Sequence, residues 1–142
     1  MANYAIKQIS IFLENKPGRL AEVAEAMNEA KINILAFSIA EAGDFGVVRM
    51  LVNKPDEACK KLHEKGFTVS LTRVLGIKMK DEPGGLYEIA KILGDSDVNI
   101  DYAYAYSGTS GAVFILRVSD LELAIEKITE REVELIEDTL FE

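Results

Sequence analysis

A single cysteine, Cys59, stands among 142 residues, so neither an intrachain disulfide nor a Cys-x-x-Cys redox pair can form. The one histidine, His63, has no second His and no clustered Cys to share a metal with, and it leaves no nucleophile–base arrangement to place. Basic residues are also scarce. Lys and Arg number 16 against 24 Asp and Glu, a net charge of −8, whereas gripping a phosphate backbone requires clustered cations. No apolar run approaches the roughly 18–20 residues that span a bilayer. Residues 1–13 lack the uninterrupted apolar stretch of a secretory signal. The chain reads as soluble and cytoplasmic, with no nucleic-acid or membrane partner, no metal and no cofactor. Its acidic residues are densest over 122–142, where interleaved apolar residues mark a solvated face rather than an interaction tail.

What the chain has in abundance is itself. Residues 8–76 align onto 74–142 at a constant offset of 66 with no gap. Pro17-Gly18-x-Leu20-x-Glu22-x-Ala24 falls on Pro83-Gly84-x-Leu86-x-Glu88-x-Ala90, and Asn33-Ile34 falls on Asn99-Ile100. Val47, Val52, Ala58, Lys61 and Glu64 fall on Val113, Val118, Ala124, Lys127 and Glu130. A period this long means two small domains, 1–73 and 74–142, rather than a solenoid. Units of about 70 residues bury little apolar surface for their conformational entropy. They are therefore expected to pack on each other and on a second chain, as a homodimer or higher homo-oligomer.

Each half reads strand, helix, strand, strand, helix, strand. Residues 6–13 form a β-branched run, and Pro17-Gly18 punctuates it where a helix begins. Leu20, Val23, Ala24 and Met27 follow at helical spacing. Residues 32–39 and 47–52 form a hairpin about the turn at 41–44. Pro55 opens a second helix, with Ala58, Cys59 and Leu62 inward, and Gly66 ends it. Residues 67–75 make the last strand and run almost directly into 75–80, the first strand of the second half. There the pattern recurs as a helix over 83–93, a hairpin of 98–106 and 112–118 around Ser107-Gly-Thr-Ser-Gly111, a helix over 121–129 and a closing strand over 133–140. The fold class is α+β: two tandem ferredoxin-like βαββαβ units, each an antiparallel sheet with both helices on one face. Residues 32–39 are apolar at both parities, so another subunit is expected to cover part of the open face or an edge.

Topology alone does not assign function. An RNA-binding member of this class stacks bases on aromatic residues of its central strands, but 47–52 has none and 112–118 has only Phe114. The first strand–helix loop, Glu14-Asn-Lys-Pro-Gly18, lacks the cysteines of a metal carrier. An acyl-phosphate hydrolase needs an anion loop with Arg and a positioned Asn, and Arg19 is matched by Gly85 in the second half. The segments Leu13-Glu-Asn-Lys-Pro-Gly-Arg-Leu20 and Met79-Lys-Asp-Glu-Pro-Gly-Gly-Leu86 instead resemble the first loop of the ACT domain. Lys31-Ile-Asn-Ile34 and Asp97-Val-Asn-Ile100 resemble that family's second signal. Both motifs recur at one separation in both halves, and the chain is similar to small stand-alone proteins made of two ACT domains. The resemblance implies a binding regulator of amino-acid metabolism rather than an enzyme. It also implies a small-molecule amino acid held at an interface between units near the first loop and helix, with a regulated metabolic enzyme as a further partner.

The residues give that expectation a physical basis. Amide N–H groups at a helix start lack intrahelical partners and can receive a carboxylate. Glycine lets the guest approach the backbone. The expected ligand-binding set is Asn15, Lys16, Pro17, Gly18, Arg19, Leu20, Asn33 and Ile34 in the first half. In the second it is Asp81, Glu82, Pro83, Gly84, Gly85, Leu86, Asn99 and Ile100. Asn15 or Asp81 would offer an oxygen to the ammonium group, and Asn33 and Asn99 a donor and acceptor at the edge of the same region. Each also has a structural role open to it: Asn15 or Asp81 as a helix cap, Asn33 and Asn99 as turn residues. Lys16 faces Glu82 and Arg19 faces Gly85 in the alignment, so the two sites should differ, one binding well and the other weak or structural. Arg19 either clamps a carboxylate or stays solvated. Tyr102, Tyr104 and Tyr106 share one sheet face, as a platform or as cross-strand packing. Two alternatives stand beside the sensor: a structural dimerisation or regulatory subunit of a separate enzyme, without its own ligand, and a small ferredoxin-like enzyme.

Overall fold

The computed structural model describes residues 3–108 and 111–138. Its elements run β1(Ile6–Glu14), α1(Arg19–Glu29), β2(Ile34–Ala42), β3(Phe45–Val52), α2(Pro55–Glu64), β4(Thr68–Lys78), α3(Gly85–Asp95), β5(Ile100–Gly108), β6(Gly111–Val118) and α4(Leu121–Glu130). They divide into two compact units: Lys7–Thr72, and residues 3–6 together with Arg73–Asp138. The strands expected over 67–75 and 75–80 form one continuous element of 11 residues, β4, which passes from one unit to the other.

In the N-terminal unit the strand order is β2-β3-β1-β4. β1 and β2 both pair antiparallel with β3 and therefore run parallel to each other. Alternation puts Ile9, Ile11 and Leu13 of β1 and Val48, Met50 and Val52 of β3 on one face. There they join Val23, Ala26 and Met27 of α1 and Ala58 and Leu62 of α2 in one buried cluster. Helix α2 is oriented by its charges. Pro55 occupies its first turn with Asp56 and Glu57, and Lys61 and His63 occupy its last, each sign at the favourable end of the helix dipole. The β2–β3 hairpin closes at Ala42↔Phe45 through a tip in which Gly43 takes a φ of 70°. Leu35, Phe37 and Ile39 on the edge strand β2 are exposed by 38–53%.

The C-terminal unit repeats the plan with order β4-β6-β5. Leu75 and Ile77 of β4, Leu116 and Val118 of β6, Ile89, Ile92 and Leu93 of α3, and Ala124 and Ile128 of α4 form a second buried cluster. The closing strand differs from expectation. Among the described residues it is an isolated bridge, Ile77↔Leu135, flanked by Lys78 N–H donating to Glu134 O at 2.9 Å and Ile136 N–H to Gly76 O at 2.8 Å. Ile136 lies close over Gly76, where a Cβ would come within 3.1 Å of its own, so the approach depends on glycine. Residues 139–140 of that expected strand, and 109–110 of the expected hairpin turn, lie outside the described residues.

One surface cluster of the N-terminal unit titrates. Lys65 and Lys61 lie 3.0 and 3.4 Å from the Glu29 carboxylate. Hydrogen bonding first from Lys65 and then from Lys61 holds that carboxyl below its ordinary range. A depressed folded pKa means the contribution is present above the unfolded carboxylate's pKa and is lost as pH falls through the folded value. The cluster is exposed, so its effect is small and weakened by salt. Lys65→Ala should leave less acid-side loss of stability, checked by comparing urea midpoints of wild type and variant between neutral pH and roughly pH 3.

Candidate ligand site

The first helix of each unit begins without a side-chain cap. Gly18 takes φ 91° and ψ −16°, and Gly84 takes φ 94° and ψ −10°, left-handed values that glycine adopts freely. Arg19 N–H donates to Lys16 O at 3.4 Å and Glu22 N–H to Gly18 O at 3.1 Å. The second loop repeats this with Gly85 N–H on Glu82 O at 3.1 Å and Glu88 N–H on Gly84 O at 3.0 Å. Among the described residues the amides of Leu20 and Ala21, and of Leu86 and Tyr87, find no acceptor. Helix α4 is different, because the Asp120 side chain accepts from Leu123 N–H at 3.1 Å. A Cβ built on Gly18 or Gly84 would meet nothing within 4 Å. The approach to both bare helix starts is thus open, and an anionic group can be received there.

Neither Asn15 nor Asp81 caps its helix. Asn15 instead ties the loop to the hairpin tip, with its N–H on Asp44 O at 2.8 Å and its side-chain Nδ2 on Gly43 O at 3.4 Å. Lys16 pairs with Glu14 at 3.3 Å. Asp81, Glu82, Pro83 and Gly84 are exposed, and Leu20 and Leu86 are exposed beside their unpaired amides.

Asn33 and Asn99 do not join these loops. Asn33 N–H donates to Asn53 Oδ1 at 2.7 Å, and Asn53 N–H returns to Asn33 O at 3.2 Å. Asn99 mirrors this with Ser119, its N–H on Ser119 Oγ at 2.9 Å, and its Nδ2 donates to Asp101 Oδ1 at 2.9 Å. Both asparagines fix the start of a strand that runs parallel to β1 or its counterpart. Asn33 therefore sits a full nine-residue strand from the hairpin tip that holds Asn15, roughly 25 Å away at the rise of a β-strand, and Asn99 stands at the equivalent start of β5 in its own unit. Ile34 and Ile100, next to them and half-buried, share that far end. The expectation that the asparagines border the same region as the loop is corrected on this ground: within one unit they lie at opposite ends of the sheet.

Arg19 is half-buried and engaged by residues of its own unit. Its guanidinium lies 5.2 Å over the ring centroid of Phe67, within cation–π range, and pairs with Glu22 one turn along the helix. The side chain is 26% exposed, and its Nε is buried without a hydrogen-bond partner. At the equivalent place in the C-terminal unit, Gly85 is buried and carries no side chain. A cleft of about 370 Å³ opens there, lined by Lys80, Gly85, Glu88, Ile89, Arg131 and Val133 among others. The offset of 66 places Glu88 on Glu22 and Val133 on Phe67. The Arg19–Gly85 mismatch is legible in the sequence, but the cleft is not, because its far wall follows α4, about 45 residues on. The loss of a ring at Val133 beside the loss of Arg19 was the signal that could have found it.

Cys59 is a half-buried free thiol, and His63 is exposed. Among the described residues no three His, Cys, Asp or Glu side chains gather as metal ligands, and no helix is long and apolar enough to cross a membrane. Tyr102, Tyr104 and Tyr106 are half-buried opposite Arg117, Ile115 and Val113, as in cross-strand packing. Burial pushes the Tyr106 phenol above its ordinary range.

The family model described as an ACT domain pair matches residues 4–141. The crystal structure of protein BT0572 from Bacteroides thetaiotaomicron is similar at 39% identity and a TM-score of 0.91, over 96% of this chain and 94% of that one. The regulatory subunit of aspartate kinase from Thermus thermophilus, in its ligand-free form, shares the fold at 16% identity and a TM-score of 0.64, over 92% and 95% of the two chains. The corresponding subunit from Thermus flavus gives 17% identity and a TM-score of 0.62, over 92% and 94%. No curated protein matches the chain by sequence. With the repeated loop, the repeated fold and a family match over nearly its whole length, the chain belongs to the ACT domain pairs.

Proposed function

We propose that this protein is a non-catalytic, amino-acid-binding regulator of amino-acid metabolism, with its ligand held where ACT units meet. The observation that carries the reading is the pair of uncapped helix starts at Gly18 and Gly84, with unpaired amides and an open approach. A free amino acid brings a carboxylate that those amides can receive, favoured by the helix dipole by roughly 0.3–1 kcal/mol. Asn33 and Asn99 contribute only if another unit supplies them, since within one unit they are too distant. The exposed Phe37 and Ile39 on an edge strand favour a second copy of the chain as the partner that brings such units together. Light scattering should then return at least a dimer mass. The relatives described as regulatory subunits of aspartate kinase make a separate enzyme of amino-acid metabolism the natural target of control.

A thermal-shift screen with the common amino acids tests this. Ligand at 100 times its dissociation constant stabilises by about 2.7 kcal/mol, which raises the melting temperature by several degrees. Gly18→Val and Gly84→Val should remove the shift by filling the open approach. If no amino acid moves the transition, the protein is better read as a structural regulatory subunit without a ligand of its own. Turnover of a substrate would favour the small-enzyme alternative.

A further inference from the structure

The two units differ most at one equivalent spot. In the N-terminal unit Arg19 reaches from the first residue of α1, lays its guanidinium on Phe67 and pairs with Glu22. In the C-terminal unit neither the arginine nor the ring is present, yet the acid remains as Glu88. The vacated space is the cleft of about 370 Å³ beside α3, within the size range of small-ligand pockets. The N-terminal unit thus displays, built into its own chain, the kind of group the other unit has room and charge to accept from outside. We propose that the cleft bounded by Gly85, Glu88 and Val133 binds a free amino acid with a cationic side chain, whose head takes the place that Arg19 fills in the other unit.

The lining suits both ends of such a guest. Lys78 is engaged by Glu134 at 3.2 Å. Among the described residues Glu88, Glu132, Lys80 and Arg131 form no ion pair. Glu88 accepts the guanidinium or ammonium head, as Glu22 does for Arg19, and charge-assisted pairing of this kind is the stronger class of hydrogen bond. Lys80 or Arg131 meets the ligand's carboxylate, while Ile89 and Val133 pack on its aliphatic stem. Gly85 cannot carry an internal plug of its own, because a Cβ there would stand 2.2 Å from the Lys80 carbonyl oxygen. The inference goes beyond the helix-start site: it rests on the cleft and its side chains and uses neither the Leu86 nor the Tyr87 amide.

Calorimetric titration of the full chain with L-arginine, L-lysine and L-citrulline tests it, citrulline being the neutral shape-match of arginine. Arginine or lysine should bind once per chain, with citrulline weaker by about tenfold or more. Glu88→Gln, on an exposed helix face, should keep the fold and weaken arginine by a similar factor. Arg19→Ala should open the equivalent pocket and admit a second molecule. Glu88→Gln leaves both helix starts in place and should keep the thermal shift of amino acids with neutral side chains, so that failure of the helix-start site and failure of this cleft are read separately. No saturable heat with arginine or lysine at low-millimolar concentration would overturn the proposal. So would citrulline binding as tightly as arginine, a Glu88→Gln protein that binds unchanged, or a folded Arg19→Ala protein that still takes a single equivalent.

Discussion

Gly85→Ala should cost roughly 2–3 kcal/mol of stability and lower the melting temperature by roughly 6–12 °C for a chain of this size. The cause is one added carbon. It would stand 2.2 Å from the Lys80 carbonyl oxygen and 3.3 Å from both the Lys80 carbonyl carbon and Met79 Cγ. The nearest of these is backbone, so no rotamer change can relieve the contact, and the loop between β4 and α3 must shift. Gly85 itself is helical, without a positive φ, so the penalty arises from close approach rather than from a forbidden backbone conformation. Gly84 offers the control. There φ is 94° and the added carbon meets nothing within 4 Å, so Gly84→Ala should lose only the left-handed strain, about 1–2 kcal/mol. Equilibrium urea unfolding of the two variants separates crowding from strain. A Gly85→Ala protein as stable as wild type would mean that the Lys80 carbonyl is not held over the helix start.

Much of the fold was legible because its signals are local. The alternation of Ile9, Ile11 and Leu13, the helical spacing of Val23 and Met27, and the Pro55 and Gly66 boundaries each depend on a few neighbouring residues. The duplication then let one half check the other. What escaped depends on distance. β4 is a single strand because nothing in Val74-Leu75-Gly76 breaks an extended chain, and the overlap at Leu75 hinted at that. Among the described residues the closing strand is a bridge, and its approach, with Ile136 settling over Gly76, joins residues 60 positions apart. The placement of Asn33 and Asn99 was within reach. A strand, a helix crossover and a strand lying in one sheet run parallel, which puts the start of the second strand away from the end of the first. The placement of Arg19 was out of reach, because its guanidinium rests on Phe67, and a ring that far along the chain gives no local cue. The candidate site was thus half visible. Its helix starts follow from Pro-Gly at fixed spacing, while the asymmetry that distinguishes the two units lies in pairs formed through space.

Leu62→Ala and Ile128→Ala should each cost about 2–5 kcal/mol. The two residues are equivalent under the repeat and each is fully buried, at 0% exposure. Leu62 packs with β1, β3 and α1 residues in one cluster, and Ile128 with β4, β6 and α3 residues in the other. Among the described residues none belongs to both clusters. Truncation removes transfer energy and leaves a cavity lined by rigid neighbours, a loss that partial relaxation does not recover. Because the clusters share no member, the two losses should add to within about 0.5 kcal/mol when combined. The denaturant slope bears on the same question. If the chain unfolds in one step, both variants shift a single urea midpoint and leave the slope unchanged. If the units unfold separately, Leu62→Ala moves only the transition of the N-terminal unit, and an amino acid bound in the C-terminal unit protects only the other. Far-ultraviolet circular dichroism, with and without saturating ligand, reads both cases. A strongly non-additive double variant would show that the two cores are energetically one despite their separate membership, and ligand bound at either unit would then stabilise the whole chain.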